Sequence, residues 1–155
     1  MLPKLWLLLH LFTAFSFVSS LLVSEWASRS ARATQDWGQR ALLFRMATRA
    51  GREAGFIPLL LTGILGNVVS VGLGYHMGTD AWLRYADGLW LVAVLVMAIV
   101  NLPAAYRLAA IAKTAAGNAE PAGYAATFGR WRLSNVLLSV LYVALLVVMV
   151  YGKRS

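Results

Sequence analysis

Four stretches without a single Asp, Glu, Lys or Arg, residues 5–23, 56–77, 88–106 and 133–152, constrain this chain more than anything else in it. Each is close to the roughly 20 residues that a helix needs to cross a hydrocarbon layer about 30 Å thick. Inside that layer every peptide N–H and C=O must find its partner within the protein. Runs of this length, with no alternation of period two, can do so only as helices. The rest of the composition agrees. At 60% hydrophobic and 13% charged over 155 residues, the chain carries more apolar surface than a water-soluble domain of its size could hide. The expected fold is therefore all-α, a four-helix transmembrane bundle in one domain, with helices at about 5–24, 56–77, 87–112 and 132–152.

A formal charge of +8 would point to nucleic acid in a soluble protein, but the placement of the cations gives them another meaning. Arg29, Arg32, Arg40, Arg45, Arg49 and Arg52 lie between the first two runs, and Arg107, Lys113, Arg130 and Arg132 lie at or between the last two. Only Lys4, Arg84, Lys153 and Arg154 belong to the opposite side. Positively charged loops stay in the cytoplasm, so the expected protein sits in a bacterial inner membrane with both termini periplasmic and with no nucleic-acid partner. The first run is long for a secretory signal and no small-x-small cleavage site follows it, so it reads as a retained helix. Cysteine is absent, which removes disulfides, thiolate metal sites and cysteine nucleophiles.

Between the first two runs the pattern predicts a further amphipathic helix over residues 35–54. Trp37, Ala41, Phe44 and Thr48 share one side of it, and Arg45, Arg49 and Arg52 an adjoining one. Such a segment is expected in the membrane interface, aromatic side down, with the three arginines on anionic lipid headgroups, each worth about 1 kcal/mol. In the second run Gly63, Gly66, Ser70 and Gly74 form a stripe of small residues suited to close helix packing, and Asn67 on that stripe should bond across the bundle. Pro58 is expected at the start of the second helix, and Pro103 is expected to bend the third. Asn101 and Asn135 fall at similar depth and predict an inter-helix hydrogen bond. Asp80, Arg84 and Asp87 are assigned to a solvated outer connection.

Sites for chemistry are few. No nucleophile elbow, phosphate loop, zinc-spaced His/Glu cluster or pair of acids within a run occurs, so no catalytic residue and no metal site is assigned. With no acid assigned to a membrane run and no inverted repeat, transport of ions or small molecules is not expected either. The exception is His10, an ionisable group inside a membrane run with Trp6, Phe12, Phe15 and Phe17 around it. A neutral imidazole can hold haem iron, and His76 comes out on the same outer side, so His10 and His76 are the candidate cofactor-binding residues, with haem b the candidate cofactor. Two functions follow. One is a non-catalytic structural or accessory subunit, packed in a homo-oligomer or a larger membrane complex. The other is a haem-b redox protein centred on His10.

Several short motifs also carry a family likeness. Lys4 with Leu9-His10, Arg49 and Arg52 before Pro58 and Thr62-Gly63, Trp82-Leu83, Arg132 followed by Asn135, and the closing Lys153 span nearly the whole chain. Together they resemble a superfamily of small four-helix membrane proteins. It includes the copper-resistance CopD-like proteins, the HemJ-like protoporphyrinogen oxidases and a branch of unknown function, to which this chain is most similar. The resemblance implies a haem-b role for His10. Two departures separate the chain from the HemJ-like pattern. Arg84 and Asp87 stand where that pattern has a lysine, and Asn135-Val136-Leu137-Leu138 replaces an Asn-Glu-x-Pro run. What carries over is haem binding rather than protoporphyrinogen oxidation.

Overall fold

The computed structural model describes residues 2–115 and 119–152, the first two of these by backbone alone. Lys153 and Arg154, two of the expected outer cations, lie outside the described residues. Helices joined by short connections make up the described chain: α1 (Leu2–Ala33), α2 (Trp37–Ala50), α3 (Ile57–Gly72), α4 (Ala81–Leu95), α5 (Leu102–Thr114) and α6 (Tyr124–Tyr151). Six-residue π-helical turns, Gly51–Phe56 and Val96–Asn101, join α2 to α3 and α4 to α5. The result is four long rods, each long and apolar enough to cross a membrane. Leu8, Phe12, Leu22, Ile99, Leu133 and Val140 are among the large apolar side chains on the outside of these rods, as a lipid solvent requires. The chain is thus a multi-pass, four-helix membrane protein.

Both π turns stand two residues ahead of a proline, and the reason is local. Pro58 and Pro103 have no N–H to return to the carbonyls four residues back, Ala54 and Ile99, so a regular α-helical ladder cannot pass through them. The Ile57 and Leu102 N–H groups instead reach five residues back, to Arg52 and Met97. The stranded Ala54 carbonyl accepts a bond from Ser16 Oγ of α1 (3.2 Å). The second rod therefore does not open near Pro58 as its sequence predicts. It runs through it, from Trp37 to Gly72.

That continuity changes the meaning of the segment between the first two runs. A helix is present at Trp37–Ala50, capped by Asp36, whose Oδ1 accepts the Gly38 N–H (2.7 Å). Its aromatic side, however, faces protein and not lipid. Trp37, Ala41 and Phe44 are buried with Ala27 and Ala31 of α1, Ala104, Leu108 and Ala112 of α5, and Tyr124 and Trp131 of α6. Phe44 sits among the rings of Tyr124, Phe128 and Trp131, at centroid distances of 6.1, 6.2 and 5.8 Å. The helices overshoot their apolar runs at this end and form a small water-type core of their own, which is why α1 reaches Ala33. Arg40 closes it by donating to the Ala31 and Thr34 carbonyls over the Trp37 ring. Arg45, Arg49 and Arg52 remain exposed, and the last two pair with Glu53.

A second core lies deeper, built from Phe17 and Leu21 of α1, Leu59 of α3, Ala93 and Met97 of the third rod, and Leu138 and Leu141 of α6. The expected asparagine pair borders it. Asn101 Nδ2 donates to Asn135 Oδ1 (2.7 Å) and lies 2.9 Å from Ser134 Oγ. At the far end α3 stops earlier than its apolar run. Gly74 takes a positive φ of 84° that turns the chain, so it belongs to the turn, and a Cβ built on it would meet nothing within 4 Å.

Candidate functional site

At the end of the bundle where Trp82 meets Gly152, the rods separate into two pairs. α1 packs along α3, and α4 along α6, while the backbones of α3 and α4 stand further apart and meet through side chains. Between the pairs lies a cavity of about 490 Å³. Its wall is mostly Leu, Val, Ala and aromatic side chains, with polar groups contributed by His10, Thr62, Asn67, Ser70 and Asp87.

His10 reaches the wall from α1 and is 9% exposed. Its Nδ1 lies 2.9 Å from the Thr62 carbonyl oxygen. A carbonyl can only accept, so Nδ1 carries the proton, and in the neutral ring Nε2 keeps its lone pair. The bond fixes both the ring orientation and the tautomer. Thr62 is itself held, its Oγ1 lying 2.8 Å from Thr13 Oγ1 and 2.8 Å from the Pro58 carbonyl, with one proton to give to either. Gly66 makes room for the imidazole, since a Cβ there would stand 3.1 Å from His10 Cε1. Gly63 does the same for Trp90, whose indole fills the space a Cβ would need and whose Nε1 donates to the Leu59 carbonyl (2.8 Å). Gly63, Gly66, Asn67 and Ser70 thus all line the cavity, and the small-residue stripe receives side chains from two helices.

Opposite His10, Asn67 Nδ2 of α3 donates to Asp87 Oδ1 of α4 (3.1 Å). This corrects the assignment of Asp87 to a solvated connection. The residue lies inside α4, and its Oδ2 is buried with no hydrogen-bond partner among the described residues. Arg84, one turn earlier, points elsewhere and donates to the carbonyls of Met77 and Gly78 (2.8 and 3.1 Å). A charge-free run necessarily ends at the first charge, so marking the run at 88 placed Asp87 outside it by construction. The usable signal was periodicity. Asp87 stands about four helical turns before Asn101 and one before Trp90, on the inward face of the third rod.

His76 is not part of this arrangement. It sits exposed in the turn after α3, its backbone N–H donating to Asp80 Oδ2 (2.7 Å), and it is not among the residues around the cavity. The two histidines therefore do not form a pair of axial ligands. Nor do the described residues contain any group of three or more His, Asp or Glu able to hold a metal ion. What the site can do is bind. It offers an apolar volume, a fixed imidazole lone pair and a carboxylate oxygen with no donor facing it. In the comparisons with known proteins, no family model, no curated protein and no solved structure matches the chain.

Proposed function

We propose that this protein holds a lipophilic small molecule within its membrane bundle. The cavity carries the reading. Its volume lies in the range of about 300–1,000 Å³ typical of small-molecule sites, and it combines apolar walls with a few convergent polar groups. A purely structural or accessory role would leave that space without a purpose. Accessory packing can coexist with binding, because the apolar outer surface is free to meet lipid, a second copy or a larger membrane complex. At the other end, Arg45, Arg49 and Arg52 suit anionic headgroups of a bacterial inner membrane.

Ala14 lines the cavity from α1 and is half-buried, so Ala14→Phe fills space with modest disturbance elsewhere. Native mass spectrometry of protein released from detergent should find a small molecule on the wild type and none on the folded Ala14→Phe variant. Equal occupancy of both, or none on either, defeats the reading.

One observation favours a particular cofactor. A ligating histidine commonly donates its other ring nitrogen to a backbone carbonyl, as His10 does to Thr62. His10 Nε2 is thus suited to holding the iron of a haem b, which would supply redox chemistry when bound. Absorbance spectroscopy decides: a Soret band lost in His10→Ala supports haem, and a colourless folded protein removes it.

A further inference from the structure

The group around the cavity with the clearest unmet need is Asp87, and its need specifies a ligand. One carboxylate oxygen is engaged by Asn67, while the other is buried without a donor. Among the described residues no lysine or arginine lines the cavity, and Arg84, the nearest cation in the helix, is committed to two carbonyls of the preceding turn. A lone carboxyl group in a low-dielectric space carries a negative charge only at a cost, which a cation or strong donor relieves, and the same low dielectric strengthens that attraction.

The walls point the same way. Phe15, Phe17, Tyr75, Trp82, Trp90 and Tyr142 all line the space, and Tyr75 and Trp82 meet edge to face at 5.2 Å. Aromatic faces attract cations, and a cage of rings is the usual receptor for ammonium groups. An inorganic cation does not suit the same surroundings, since hard metal ions need about six oxygen ligands and a single carboxylate is offered. An anion would meet the carboxylate's repulsion.

We propose that the cavity selects a lipophilic organic cation, an ammonium-type group with an apolar body, whose charge is met by Asp87 Oδ2 and whose body lies against the aromatic walls. The inference rests on the ligand-binding reading above and names the class of ligand. Asn67 acts as a positioning residue, turning the carboxylate so that Oδ2 is left for the ligand.

Two probes of one shape and opposite charge test it: tetraphenylphosphonium and tetraphenylborate, each measured by equilibrium dialysis against protein in dodecylmaltoside. The wild type should bind the phosphonium more tightly than the borate. Asp87→Asn should lower phosphonium affinity about thirtyfold or more while leaving borate binding equal or stronger, because the charge partner is gone. The asparagine oxygen can still accept from Asn67, so the fold is expected to survive. Asp87→Glu, which keeps the charge, should keep the preference and so separates charge from local structure. Equal affinity for the two ions, or no change in Asp87→Asn, overturns the cation inference even where native mass spectrometry finds a small molecule on the wild type. The ligand-binding reading falls only with that separate measurement.

Discussion

The asparagine pair shows how a single polar residue is placed in a membrane bundle. Asn101 is 2% exposed, and its amide serves Ser134 and Asn135 on the facing helix. Replacing it with alanine strips two buried acceptors of their donor and opens a small void, and polar contacts in such settings are worth about 0.6–1.7 kcal/mol. Asn101→Ala should lower the thermal midpoint in detergent accordingly, while an exposed control such as Val140→Ala should leave it within error. Gly63→Ala is a harsher change, because the Trp90 ring occupies the space of the new methyl group. Trp90 must leave its bond to Leu59, so a red-shifted tryptophan emission should accompany a loss of about 1–3 kcal/mol. Residue patterns alone reached part of this picture. Asn101 with Asn135 was legible because both interrupt apolar runs at matching depth. Gly63 and Gly66 were legible as small, though not as receivers of an indole and an imidazole. Asp87 was not legible from the run boundary, where a charge looks the same whether it faces water or a cavity, and only its helical spacing to Trp90 and Asn101 marks it as inward.

At the scale of an element, each proline-bearing rod solves one problem, the passage of a helix through a residue that cannot donate. The π turn before Pro58 shifts the register, and Ser16 of the neighbouring helix serves the Ala54 carbonyl. The close fit of that turn depends on Gly55, where a Cβ would stand 2.6 Å from Ser20 Oγ and 2.8 Å from Met97 Cε. Sequence reading marks Pro58 as a start because proline is favoured in a first turn, and that rule is blind to a helix that arrives from upstream already packed on protein. The buried faces of α2 and α5, joined through Phe44 and Leu108, are what carry the rod into the proline. A double-mutant cycle can weigh the Ser16 contribution. Ser16→Ala should cost about 1 kcal/mol in the wild type, and measurably less in a Pro58→Ala background, where residue 58 regains an N–H for Ala54. Equal costs in both backgrounds would mean that Ser16 has no part in accommodating the proline.

On the scale of the whole molecule, the two ends of the bundle are built from different materials. One end holds the aromatic and alanine core of α2, α5 and the start of α6, ringed by Arg29, Arg32, Arg45, Arg49, Arg52, Arg107, Arg130 and Arg132. The other holds the cavity, where Asp87 lies and where no lysine or arginine among the described residues lines the wall. Four crossings were legible from hydrophobicity alone, because each apolar run must coil to satisfy its peptides. The overshoot of the helices beyond those runs was not, since residues 24–54 carry a soluble-type amphipathic pattern that fits either an interface or a protein core. The asymmetry nevertheless has one consequence for orientation. Arginine-rich ends resist translocation, so the α1–α2 connection should remain in the cytoplasm and the cavity should face the opposite side. Thr34 lies in that connection, between the ends of α1 and α2, and is not among the residues that line the cavity. A fluorescent protein that matures only in the cytoplasm should be bright at Thr34 in a bacterial host, and alkaline phosphatase, active only in the periplasm, should be silent there. The reverse pattern would put the cavity, His10 and Asp87 on the cytoplasmic side, and any organic cation would then have to reach them from within the cell.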